Sequence, residues 1–163
     1  MDDLLDRLAG AAAGMEALRG RVVAGEPWPL SDDYGTEPES EWGPPEVLAH
    51  VAEMLPYWLG QVDAILASPS GETPTFGRVA TDAGRLARIG EDRRLPVGEL
   101  LDHVASGAST VGLRLAQLTP EEAGRAGVHP RLGEMTVPAI VERFVAGHLE
   151  DHVRQLDEVA VRG

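Results

Sequence analysis

The sequence contains no cysteine and no lysine. The first absence excludes disulfides, thiolate metal sites and a cysteine nucleophile, so any thiol chemistry must bring its sulfur from outside. The second leaves 14 Arg as the strong cations against 27 Asp and Glu, a net charge of -13. A surface that acidic repels phosphate backbones and anionic headgroups, so no nucleic acid and no membrane is expected as a partner. Aromatic residues are scarce, at 4%. No apolar run nears the ~18 residues of a membrane span. The opening MDDLLDRLAG is acidic where a signal peptide is basic. The expected location is the cytoplasm. Abundant Ala, Gly, Val, Arg and Pro beside the missing Lys suggest a GC-rich bacterial genome.

What remains is 43% hydrophobic and 25% charged, the balance of a globular chain with a real core. A length of 163 residues suits one domain, residues 1–163. Four segments carry helical periodicity. The first runs from Asp2 to Ala24, with Leu4, Leu8, Ala11, Met15, Leu18 and Val22 on one face. The second opens on Pro44-Pro45, tolerated in a first turn whose amide donors lack partners, and carries Val47, Val51, Met54, Trp58, Val62 and Ile65. Pro56 inside it should bend the helix. The third spans Val97 to Leu118. The fourth starts at a Thr136 N-cap and continues to Ala160, with an expected stripe of Val137, Val141, Val145, His148, His152, Leu156 and Val159.

No segment alternates at period two, and no Asn-Gly or Asp-Gly hairpin signal is present. The reading is all-α: a four-helix bundle. Residues 25–43 form a Pro/Gly/acid-rich loop, and residues 119–135 join the third and fourth helices. The 29 residues of 67–95, with a short helix near Val79–Ile89, are long enough to cross the bundle. Helices two and three are therefore expected to run parallel.

Five histidines are present: His50, His103, His129, His148 and His152. His148 and His152 stand four apart in GHLEDHVRQL, where the buried stripe should be. Residues so spaced project from one helix face. Two such imidazoles can grip one cation, with nitrogens ~2.0–2.1 Å away if it is zinc. His50, between Val47 and Met54, borders the apolar face of the second helix and is placed to reach across the core. Three His ligands would leave a position open to water, the catalytic kind of site. The residues alone keep a second reading open, of core histidines bonded to neighbours. Burying two of them unpartnered would cost several kcal/mol. The protease motif HExxH fails because Leu149 holds the Glu position. HLEDH has Asp151 where the inverse HxxEH motif has Glu.

Trp42 followed by PPEVLAHVAEM, and GEMTVPAIVERFVAGHLEDHVRQLDEV ending in HxxxH, resemble the DinB-like superfamily of four-helix bundle metalloproteins. One His on the second helix, two on the fourth and a length near 160 residues agree with that pattern along essentially the whole chain. The resemblance implies an up-down-down-up bundle with a long crossover between helices two and three. It implies a divalent metal (Zn, Ni or Fe) on His50, His148 and His152. The family's name does not imply DNA binding or polymerase activity. Relatives include transferases and isomerases that use mycothiol, bacillithiol or glutathione, so a low-molecular-weight thiol is an implied cosubstrate. A metal would ionise that thiol, whose free pKa is ~8.5.

Five Arg lie between Arg78 and Arg94 against Asp82, Glu91 and Asp92, a net +2 inside the acidic chain. Arg78, Arg85 and Arg88 are candidates to clamp a carboxylate of a substrate or thiol cofactor; the alternative is a solvated face of the crossover helix. Glu53, one turn beyond His50, and Glu150 and Asp151, between the other two histidines, are candidate general bases or imidazole-orienting acceptors. Solvated acids are the alternative. Trp42, Tyr57 and Trp58 read as packing residues, with Trp42 able to wall a metal pocket. His103 and His129 fall outside the expected site. The chain is thus read as a metal-dependent enzyme acting on a small molecule, a thiol-dependent transferase or isomerase or a hydrolase, with a homodimer as the candidate assembly. A non-catalytic metal or small-molecule binding protein of the stress-related kind is the alternative.

Overall fold

Each apolar stripe folds as a helix with that stripe inward. The computed structural model describes residues 1–32 and 41–161; the rest of the 25–43 loop and the last two residues of 1–163 lie outside the described residues. Helices α1 (Asp2–Ala17) and α2 (Arg19–Ala24) make up the first segment. They join at Leu18, whose helical φ and ψ of -84° and -12° keep the chain on course. Helix α3 (Pro44–Ala67) starts from an extended Gly43, and the Glu46 carboxylate accepts from the Gly43 N–H at 3.2 Å. Helix α3 continues through Pro56. Helix α4 (Ala83–Asp92) sits in the crossover, its Asp82 cap accepting from the Arg85 N–H at 2.9 Å. Helix α5 (Val97–Leu115) stops three residues before the expected Leu118.

Between α5 and the last helical segment lies a feature the sequence reading lacked. After the single turn α6 (Pro120–Ala123), strands β1 (Ala126–His129) and β2 (Gly133–Thr136) form an antiparallel hairpin. Four-residue strands are too short to show period two. Its turn uses Gly133 at φ +75° and not an Asn-Gly pair. The last segment comprises α7 (Val137–Val141), one π-helical turn (Glu142–Ala146) and α8 (Gly147–Val161).

Cross-helix contacts fix the directions. Leu55 abuts Gly107, and Asp63 pairs with Arg114 at 3.0 Å, so α3 and α5 run parallel. Leu8 lies by Gly112, while Arg19 bonds Asp102 at 2.7 Å, so α1 opposes α5. Arg7 bonds Glu150, Gly14 touches Val153 and Arg21 pairs with Asp157, so α1 and α8 are parallel. Trp58 stacks on Phe144 at 4.1 Å and His50 meets His148, so α3 opposes α8. The bundle is up-down-down-up.

The crossover is sewn down at both ends. Its Phe76 N–H bonds the Val128 carbonyl at 3.1 Å, and the Val128 N–H bonds that of Pro74 at 2.9 Å. Arg93, just past α4, pairs at 3.0 Å with the fully buried Glu46, which also accepts from the Ser31 N–H at 2.9 Å. The core between the helices includes Leu8, Met15, Leu48, Met54, Leu101 and Ile140, and each contributes about 1.5–3 kcal/mol by burial.

Candidate functional site

Antiparallel packing brings the first third of α3 level with the start of α8, and there the three histidines converge. The Nε2 atoms of His50 and His148 lie 3.0 Å apart, and those of His148 and His152 3.1 Å. One ligand atom from each of the three lies within 4.8 Å of the others. The Nδ1 of His152 faces the Gln155 Oε1 at 2.8 Å. A carbonyl oxygen only accepts, so the proton sits on Nδ1 and the Nε2 lone pair is left toward the cluster. His50 is held edge-on by the Trp42 ring at 5.5 Å.

Burial, the neighbouring histidines and the Arg85 and Arg78 guanidinium groups push the His50 imidazole well below its usual pKa. Burial foremost, then His152 and Arg85, bring His148 down to about 3. Both rings are therefore neutral at physiological pH, the form that binds a metal. Three imidazoles converging at these distances fit a borderline divalent ion such as Zn, Ni or Fe.

The π-turn decides which face each histidine takes. An unbroken α-helix from Val137 would put His148 and His152 together at the centre of the stripe. The Gly147 N–H instead bonds back five residues, to the Glu142 carbonyl. That extra residue rotates everything after it by about one position. Leu149 and Ala146 become fully buried, His152 stays buried, and His148 moves to the half-buried flank. Gly147 permits the turn: a Cβ there would stand 2.7 Å from the Glu142 carbonyl oxygen.

His148 and His50 thereby open onto a cavity of about 260 Å³, whose walls include Arg78, Arg85, Trp58 and Phe144. Among the described residues, no carboxylate lines it. Arg78 donates to Glu53 at 2.5 Å and lies 3.6 Å over the Tyr57 ring. Arg85 is buried, donates to the Ala80 carbonyl at 2.8 Å and approaches the His50 Nδ1 at 3.5 Å.

The other candidates lie elsewhere. Arg88 pairs with Asp92 at 2.6 Å in a groove between α3 and α5, with His103 in the same groove. Glu53 lines that groove too. Glu150 turns to Arg7 on α1, and Asp151 is exposed and paired with Arg154. Phe144, which walls the cavity, and Gly147 were missed by the sequence reading. A π-turn leaves no periodic trace that would reveal them. His129 is buried against Phe76 and stacks on Phe144 at 5.3 Å, behind the cavity wall.

The chain matches the family model of the DinB superfamily over residues 29–156. In three dimensions it resembles YfiT from Bacillus subtilis, described as a probable metal-dependent hydrolase with an unusual four-helix bundle topology. That likeness has a TM-score of 0.73 at 17% identity, covering 99% of this chain and 86% of the other. No curated protein matches the sequence.

Proposed function

The chain belongs to the DinB superfamily, and on that premise we propose that it is a metal-dependent enzyme acting on a small molecule through His50, His148 and His152. The observation that carries this reading is the convergence of three imidazoles, two of which, His50 and His148, line a cavity of about 260 Å³. When bound, a divalent ion supplies Lewis-acid activation of a water or thiol nucleophile.

The protein's own groups do the rest. Gln155 orients the His152 ring, and Trp42 backs that of His50. The stacked Trp58 and Phe144 rings make an apolar wall that limits water at the reacting atoms. The lack of a carboxylate among the described cavity residues favours a nucleophile that needs no side-chain base. A thiol ionised by the metal meets that need, and with no cysteine in the chain the sulfur comes from a low-molecular-weight cosubstrate of the mycothiol kind. Thiol-dependent transfer or isomerisation is therefore the first reading, and hydrolysis, in which the metal ionises water, the second. The same missing base also suits a non-catalytic binding protein.

A cobalt-substituted sample separates these readings. Adding millimolar 2-mercaptoethanol should change its visible spectrum. A flat spectrum with cobalt bound would remove the thiol reading and put hydrolysis or simple binding first. Failure to bind cobalt at all would remove the metal reading itself.

A further inference from the structure

We propose that the cavity over the histidines takes small organic anions, and that Arg78 is the residue that binds the anionic group, with Arg85 as a second cation beside it. The proposal rests on the reading of this cavity as the substrate site.

Two guanidinium groups and no carboxylate among the described lining residues are unusual in a chain whose net charge is -13. Arg78 is also built as a binding group and not as a mobile surface charge. Its side chain is 12% exposed and fixed from two sides, by the Glu53 carboxylate and by the face of Tyr57. A guanidinium offers five N–H donors in a rigid fork. Its hydrogen bond to Glu53 occupies one Nη, and the group still forms part of the cavity wall. Such a clamped fork binds a carboxylate with little ordering cost, the source of preorganised affinity.

Arg85, on α4, reinforces the field close against His50. The remaining walls set the other half of the ligand. Trp58 and Phe144 offer an aromatic surface, and a volume of about 260 Å³ holds a small ligand only. The fitting class is a monocarboxylate with a short apolar or aromatic body, its anionic end on Arg78 and its reactive part toward the histidines.

The test compares phenylacetate with its neutral isostere phenylacetamide. Binding is followed by calorimetry in chelator-treated and zinc-loaded protein, for wild type, Arg78→Gln and Arg78→Lys. Phenylacetate is expected to bind at least tenfold more tightly than the amide in both metal states of the wild type. Arg78→Gln should erase that preference while the amide still binds, and Arg78→Lys, which keeps charge but not the fork, should retain part of it. Should Arg78→Gln not fold, the lysine variant and the wild-type preference still decide.

Equal binding of acid and amide, or no binding of the acid at millimolar concentration, overturns the proposal. So does a preference that needs zinc and survives Arg78→Gln, an outcome that leaves the metal reading intact. If zinc is not taken up but the Arg78-dependent preference persists, the metal reading fails and the anion site stands.

Discussion

Glu53 and Arg78 meet at 2.5 Å in the wall between two cavities. Glu53 lines the groove of about 870 Å³ between α3 and α5, and Arg78 lines the smaller cavity over the histidines. With only 9% and 12% of the two side chains exposed, the pair is largely withdrawn from water. Breaking such a pair leaves a charge without its partner, which costs about 3 kcal/mol. Glu53→Gln and Arg78→Gln should each lower the denaturation midpoint. The double variant should be less unstable than their sum, with a coupling of about 1–3 kcal/mol. Strict additivity in urea melts would show that the two side chains do not act as a pair.

Replacing His148 or His152 with Ala should abolish stoichiometric metal while the far-ultraviolet signal stays helical, since the apolar stripes still bury a core. Chelating the wild-type protein should lower its melting temperature, because a ligand bound only to the native state stabilises it by mass action. Wild-type metal content in both variants would place the site elsewhere.

Gly147 supplies a sharper probe of the π-turn. An added methyl would stand 2.7 Å from the Glu142 carbonyl, so Gly147→Ala should destabilise the protein by about 1–3 kcal/mol and weaken metal affinity. Gly10→Ala, in α1 with open space around it, should instead be neutral or stabilising by up to about 1 kcal/mol. Similar behaviour of the two variants in thermal melts would mean that the turn tolerates a side chain.

His129 predicts a pH dependence. Burial, then Arg143 and Arg131, lower its pKa, so the folded state resists the proton that the unfolded chain accepts below about pH 6.5. Its stabilising effect is full above that pH and declines as pH falls toward the lower folded value. Wild type should therefore lose more stability than His129→Gln between pH 6.5 and 5. Parallel losses would assign the acid sensitivity to other groups.

The sequence made the bundle legible because each long helix writes one apolar stripe, and the crossover legible because residues 67–95 are too long for a turn. His148 and His152 were readable from their spacing, and His50 from its place beside Val47 and Met54. The hairpin at 126–136 was not, since four-residue strands give alternation no room. The buried Leu149 is absent from the expected stripe because an i to i-5 bond changes the phase of a helix without changing its composition. The partners of Glu53, Glu150 and Arg88 follow from tertiary packing that no local pattern encodes. Arg88 and Arg85 share a helix but line different cavities, a difference of only about 60° around the helix axis that charge counting cannot make.

His50 and His148 stand 98 positions apart in sequence. An ion gripped by both would close a loop of that length, which in chain-entropy terms restricts the unfolded state by about 4–5 kcal/mol. In a chain without a single cysteine, the metal would then be a cross-link as well as a reagent: a reversible staple between α3 and α8, formed only when both helices are in place and released wherever the ion is withdrawn.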